Sequence, residues 1–336
     1  MISDSSYRLP AEWEPQSGVQ LTWPHADTDW APMLNEVVFT YRQIAREISK
    51  REPLLVAGPP TNDTWARDHG FITLTSSDSR PLLLDFCFNG WGEKFPSDLD
   101  NALNRHLYQN GHFEGIYVSH LDFVLEGGSI ESDGQGTIFT TSCCLLAPHR
   151  NQPMTKDEIE GYLKRHLGAD RVLWIEHGYL EGDDTDGHID TLVRVAPNDT
   201  LLYVKSDSTD SDEQLALSLM EKDIQAFRTK DGLPYRLIPL PMPRPIFDED
   251  GQKLPATYAN FLIINGAVLC PTYGQPDLDT LALRTIGEAF PRREIVGIDC
   301  RPLIKQHGSL HCCTMQFPEG VLVKPYIPDN YNISTE

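Results

Sequence analysis

PMLNEVVFTYRQIAREISKREPLLVAG, residues 32–58, sets the pattern for the whole chain. Leu34, Val37, Val38, Tyr41, Ile44, Ala45 and Ile48 recur every three or four positions, the spacing that lines up side chains on one face of a helix. The apolar run LLVAG follows and reads as a buried strand. The same alternation recurs four more times. SDLDNALNRHLYQNG starts a helix after Ser97, ends at Gly111 and leads into GIYVSH. A capping box from Thr155 to Glu158 opens a third helix, which ends near Gly168 and leads into VLWIE. A fourth begins near Ser211, carries Leu219, Met220 and Phe227, and precedes YRLIPL. A fifth follows Pro276 with Leu278, Leu281, Ala282 and Ile286, and leads into EIVGID.

The helices start near residues 33, 97, 156, 211 and 277, so they are spaced by 55 to 66 residues. That regularity predicts five copies of one helix-plus-strands unit without visible sequence repetition. Further strand-like runs lie between the copies: FITLTS, GTIFTT, TLVRVA and NFLIINGAVL. No linker or low-complexity segment interrupts them. The expected fold is mixed α/β, one closed domain of five modules over residues 1–336.

Composition narrows the function. Asp and Glu outnumber Lys and Arg 49 to 28, giving a formal charge of −21. There is no basic stripe for nucleic acid, and an acidic field draws in small cations. MISDSSYRLP has neither the basic nor the apolar part of a secretory signal. FLIINGAVLC, the longest apolar run, falls well short of the roughly 20 residues of a membrane span. The seven cysteines include no C-x-x-C pair, which suits a reducing cytoplasm better than a disulfide framework. The sequence leaves homo-oligomer formation open.

About 30 residues past the helix starts, four modules place a titratable residue after a strand: Asp68 in NDTWARD, Glu126 in FVLEGGSI, His188 in DTDGHID, and Cys312 in HGSLHCC. In a radially repeated fold such equivalent points meet at the central axis. Asp190 stands two positions after His188; read as an extended segment, that spacing points both side chains the same way. Taken singly, each residue has a plainer reading: a surface ion pair for Asp68, turn chemistry for Glu126-Gly127-Gly128, a satisfied histidine for His188, a core thiol for Cys312. The parallel placement favours a site. Asp68 and Asp190 offer four oxygens to a planar guanidinium, the reverse of the usual arginine–carboxylate fork. The gripped central carbon is open to attack by a thiolate. His188 can protonate departing ammonia and then take a proton from water, with Glu126 orienting it or sharing its proton. Trp65 and Trp91 are candidate pocket walls. No cofactor is required, and no spacing of ligand types makes a convincing metal site.

These segments resemble the agmatine deiminase and Porphyromonas-type peptidylarginine deiminase family, within the guanidino-modifying pentein superfamily. The resemblance runs almost end to end, through EWEPQSGVQLTWPH, NDTWARD, FNGWGEK, LEGGSIESDGQGT, TTSCCLLAPHRN, DDTDGHID, YANFLIINGAVLCPTYG and HGSLHCCTMQ. It implies a five-bladed pseudo-symmetric α/β-propeller and hydrolysis of a guanidine to a ureido group and ammonia through an S-alkylthiouronium intermediate. It also implies Cys312 rather than Cys313 as nucleophile, Asp68 and Asp190 on the guanidinium, and His188 and Glu126 as the acid–base pair. Agmatine, giving N-carbamoylputrescine, is the expected substrate, and Asp63 the candidate carboxylate for its far amine. One stretch departs from the family: Gln306-His307-Gly308-Ser309-Leu310 replaces the usual glycine triplet and Asn-Ile. Arginine, free or in peptides, is the alternative substrate. A Cys-His peptidase is disfavoured because it needs oxyanion donors more than three carboxylates. A non-catalytic pentein binding module is the remaining alternative.

Overall fold

The computed structural model describes residues 7–208, 210–331 and 333. Its five main sheets, among the described residues, each have three strands with the same internal order. In each blade an inner strand pairs antiparallel with a middle strand, and a long helix then returns the chain to an outer strand parallel to the middle one. The second blade shows the rule: Ile72–Leu74, Leu82–Cys87, helix Asp98–Gln109, Ile116–Val124. The third uses Ile130–Ser132, Thr137–Thr141, helix Lys156–Leu167 and Arg171–Ile175. The fourth uses Val193–Ala196, Thr200–Val204, helix Asp212–Ala226 and Arg236–Leu240. The fifth uses Leu262–Ile264, Ala267–Thr272, helix Pro276–Ala289 and Glu294–Asp299. The first blade is completed from a distance. Its middle and outer strands are Gln16–Thr22 and Leu54–Ala57, around helix Leu34–Ser49, and its inner strand is Thr314–Pro318. That pairing closes the ring into a five-bladed α/β-propeller.

The local signals act as read. Thr155 and Ser211 each form a reciprocal capping box, with Glu158 and Gln214, satisfying backbone donors that a helix start leaves open. Gly168 ends the third helix with φ of +64°, a conformation glycine adopts without a Cβ penalty. Asn265-Gly266 turns the fifth blade's inner strand into its middle one. The core lies between each helix and its sheet. Val37, Tyr41, Ile44, Ala45 and Ile48 pack against Val19, Leu21, Leu54 and Val56, each large aliphatic contributing about 1.5–3 kcal/mol. Leu281, expected on the buried face of the fifth helix, is instead exposed; Ala282, Ile286 and Ala289 make that face. No described helix is long and apolar enough to cross a membrane.

Candidate active site

Short helical turns lead into the inner strands, and these turns carry polar residues to the axis. Ala66–His69 carries Asp68. Gly127–Ser129 follows Glu126. Ile189–Thr191 carries Asp190 and follows His188. His311–Cys313 carries Cys312. The extended reading of residues 188–190 is therefore corrected: this is a 3-10 turn. Side-chain hydrogen bonds enforce it. Asp183 accepts from the Gly187 N–H at 2.7 Å, Thr185 Oγ1 from the His188 N–H at 3.0 Å, and Thr191 Oγ1 donates to the His188 carbonyl at 2.8 Å. Such local bonds outcompete a strand ladder.

Asp68, Glu126, His188, Asp190 and Cys312 are all buried. Their closeness is visible from Gly128. A Cβ there would lie 2.6 Å from His188 Nδ1, 2.9 Å from Asp68 Oδ1 and 3.2 Å from Asp190 Oδ2. Asp68 Oδ1 accepts from the Gly128 N–H at 3.0 Å, and Oδ2 from Trp91 Nε1 at 2.9 Å. Trp91 reaches it from a left-handed backbone, φ +57°, between Gly90 and Gly92, the kind of local strain concentrated at functional sites. Asp190 Oδ2 accepts from His311 Nδ1 at 2.8 Å and from Asn260 Nδ2 at 3.2 Å. Burial opposes ionisation of Asp190, but the His311 hydrogen bond and charge outweigh it and hold the carboxyl below its usual range. Asp68 is pushed the other way, by burial and by the charge of Asp190, with His188 opposing.

Cys312 Sγ lies 4.0 Å from Asp190 Oδ2 and 3.3 Å from Asn260 Oδ1. Burial, then the charges of Asp190 and Asp68, push its thiol well above the ordinary range. Cys313 points away from the axis, its Sγ 3.3 Å from the Ser309 carbonyl. Glu126 is held by Arg150 Nε at 3.0 Å; the same guanidinium reaches Asp186 at 2.6 Å and the Thr185 carbonyl at 2.8 Å. Neither His188 ring nitrogen has a hydrogen-bond partner among the described residues, and Nδ1 stands 3.7 Å from Asp68 Oδ1.

Asp63, Trp65, Asp68, Trp91 and Cys312 line one pocket, with Asp29, Asp184 and His307 towards its mouth. Asp63 Oδ1 already accepts from Trp30 Nε1 at 3.0 Å and the Thr64 N–H at 2.8 Å, so it acts as a turn carboxylate as well as a pocket wall. Burial pushes it up to about 6. The departing loop packs here: a Cβ at Gly308 would meet the Trp65 ring at 2.4 Å, and His307 Nδ1 contacts the Gly182 carbonyl at 2.7 Å. Among the described residues, two clusters have ligand types within 4.8 Å of one another: Glu126, Cys144 and His188, and Glu12, Glu131 and His311. Their carboxylates are committed to the buried guanidinium groups of Arg150 and Arg194, so a metal would have to displace an existing ion pair.

The model of the Porphyromonas-type peptidyl-arginine deiminases matches residues 8–318. The chain belongs to that family. A Porphyromonas gingivalis structure, provisionally named an arginine deiminase, is 49% identical with a TM-score of 0.90, over 94% of this chain and 100% of that one. The agmatine deiminase of C. jejuni, solved as a cysteine-to-serine variant with substrate bound, is 35% identical with a TM-score of 0.87, over 94% and 97%. A provisionally named agmatine deiminase from Marinomonas sp. strain MWYL1 is 31% identical over 95% of this chain and 96% of its own.

Three elements of this deiminase-family site escaped the sequence reading. Asn260 is the axis residue of the one module that had offered none. Its Oδ1 accepts from the His311 and Cys312 backbone N–H groups at 2.9 and 3.3 Å. The others are Arg150 and Gly128. Arg150 stands in the quoted segment TTSCCLLAPHRN, but a lone arginine there carries no pairing signal.

Proposed function

We propose that this protein hydrolyses the guanidinium group of agmatine, giving N-carbamoylputrescine and ammonia, in the cytoplasm and through a covalent bond to Cys312. The observation that carries the reading is the meeting of one thiol, one imidazole and three carboxylates at a buried axis, beside a pocket lined by further aspartates.

The chain's own groups suffice for each proton. Asp68 and Asp190 take the guanidinium edges, and its positive charge offsets the two carboxylates that hold Cys312 as a neutral thiol. The Sγ–H proton passes to His188 as sulfur bonds to the central carbon. His188 returns that proton to an amino group; the C–N bond breaks, ammonia leaves, and an S-alkylthiouronium cation remains. Water then adds to the same carbon while His188 takes one of its protons. The C–S bond breaks, the hydroxyl proton of the adduct returns to sulfur, and the imidazolium proton goes to solvent. The sum is guanidinium plus water to ureido product plus ammonium. Glu126, fixed by Arg150, has an oxygen within 4.8 Å of a His188 ring nitrogen, so its charge acts on the ring through space.

Arginine within peptides is the second reading, since the family carries that description. The pocket mouth favours the smaller substrate. Lys94 spans to Asp186 at 2.8 Å and to the Asp184 carbonyl at 2.7 Å, and His307 to Gly182, bridges that a polypeptide would have to part. Ammonia and ureido product measured with agmatine, arginine and a peptide with internal arginine test the proposal. Turnover of agmatine alone is expected. Turnover of the peptide moves the function to protein modification, and no product from any of the three sinks it.

A further inference from the structure

We infer that His311 is a positioning residue for the guanidinium-binding carboxylate Asp190, and that Glu12 holds it in place from the opposite face of the ring. The inference rests on the proposed reading of Asp190 and gives roles to two residues, Glu12 and His311, to which the sequence reading assigned none.

Neighbouring residues at the axis face opposite ways. Asp68 and Cys312 line the substrate pocket. Their predecessors Arg67 and His311 line a separate cavity behind it, with Glu12, Gly127 and Glu131. His311 joins the two faces. Its Nδ1 lies 2.8 Å from Asp190 Oδ2 and its Nε2 2.8 Å from Glu12 Oε2. The His311 side chain is 2% exposed and that of Glu12 8%. Ionised carboxylates only accept hydrogen bonds, so the ring bridges the two by donating to them, with Arg194 Nη2 also 3.2 Å from Nε2.

Glu12 is itself immobilised. Its Oε2 accepts from Arg194 at 2.8 Å and its Oε1 from the Ile263 N–H at 2.7 Å, while Arg194 is tied to Glu131 at 2.6 Å. The His311 backbone is also fixed, donating to Asn260 Oδ1 at 2.9 Å. Asp190 Oδ2 is thereby saturated by His311 and Asn260. Its Oδ1, which has no protein partner among the described residues, is left for a guanidinium N–H. The site thus borrows rigidity from a polar cluster that the substrate never meets.

The test uses cationic chloroacetamidine and neutral iodoacetamide as probes of Cys312, because their rate ratio reads the guanidinium grip whatever the true substrate is. Turnover of agmatine is followed alongside. His311→Ala should lose about 10- to 100-fold of the cation preference, the worth of a hydrogen bond to a charged group. His311→Asn, whose amide N–H stands near the place of Nδ1–H, should recover most of it. Glu12→Gln keeps size and one acceptor but removes the charge behind the ring. Its acid limb of kcat/KM should move to higher pH, because an Asp190 less supported by His311 protonates more readily. The charged groups facing the ring are Asp190, Glu12, Arg194, Glu131 and Arg67, with His188 beyond Asp190, and none of the others is altered.

Wild-type preference in His311→Ala, or an unmoved acid limb in Glu12→Gln, overturns the inference. So does His311→Asn failing as fully as His311→Ala while melting like wild type, which marks a packing role. If His311→Ala does not fold, Glu12→Gln decides alone. A wild-type protein with no cation preference fails differently: it removes the proposed function itself, and this inference with it.

Discussion

Replacing Gly128 by alanine should cripple catalysis while leaving a folded protein. The φ of Gly128 lies outside the left-handed region, so alanine meets no torsional penalty there, only a steric one. The added Cβ would stand 2.6 Å from His188 Nδ1, 2.9 Å from Asp68 Oδ1 and 3.2 Å from Asp190 Oδ2. Ordinary van der Waals contact begins near 3.4 Å, so the imidazole must retreat by about 0.8 Å and the Asp68 carboxylate by about 0.5 Å. A misplacement approaching 1 Å costs about 100-fold in rate, while overpacking of this kind costs about 1–3 kcal/mol of stability. Steady-state agmatine turnover and a thermal melt separate the two. The expected result is kcat/KM down about 100-fold with the melt lowered by a few degrees. Near wild-type turnover in a folded Gly128→Ala protein would show that His188, Asp68 and Asp190 do not act as one constellation around that point. Gly127→Ala should differ: its Cβ would strike the Arg67 carbonyl at 2.2 Å. Backbone cannot swing aside like a ring, so loss of fold is expected there.

Cys312→Ser should abolish turnover and ammonia release, since a hydroxyl ionises far less readily than a thiol; Cys313→Ser should stay within about tenfold of wild type, and the reverse outcome would put the nucleophile one residue on. Arg150→Met leaves Glu126 buried without its ion-pair partner, so chemical denaturation should show a loss of about 3–5 kcal/mol together with lost activity; unchanged stability would mean that this ion pair does not support the fold. Asp63→Asn tests a buried acid. Its carboxyl is raised from 3.8 to about 6, so the fold disfavours the charged form. Its ionisation therefore lowers stability progressively as pH rises from about 4 to about 6, by about 3 kcal/mol at neutral pH. Melts of Asp63→Asn should be higher than wild type at neutral pH and equal to it near pH 4; a raised KM for agmatine, with kcat retained, would add an amine-binding role. Gly161→Ala, at a position in the third helix where an added Cβ meets nothing within 4 Å, should stabilise by about 1 kcal/mol without touching turnover.

The five-blade architecture was legible because helix periodicity and caps are local. Thr155, Ser211 and Gly168 act in the structure as their neighbours alone dictate. The closing of the first blade by residues 314–318 was not legible, since nothing near Gln16–Thr22 points to a partner some 300 positions away. Asn260 was missed for a related reason. A roughly constant offset from each helix start led to Asp68, Glu126, His188 and Cys312, but the fourth module carries an extra hairpin, Ile246–Phe247 with Lys253–Leu254. That insertion carries its axis residue beyond the offset, and an asparagine raises no suspicion without a titratable side chain. The i, i+2 argument put His188 and Asp190 together for the wrong geometric reason. They share the axis because Asp183, Thr185 and Thr191 wind the segment into a turn. Asp63, Trp65 and Trp91 do line the pocket, although nothing in their spacing distinguished a wall from a turn.

Thr314–Pro318, the strand that completes the first blade, begins two residues after Cys312. A ribosome making this chain therefore delivers Cys312 and the ring-closing strand together, after blades two to five and the rest of the first have emerged. Until then Asp68, Glu126 and Asp190 lack Cys312 beside them, and Gln16–Thr22 lacks its inner partner. Assembly of the chemistry and closure of the barrel of blades become one event in time. A nascent chain that stalls short of it lacks Cys312 altogether, so the proposed nucleophile and the closed ring are present together or not at all.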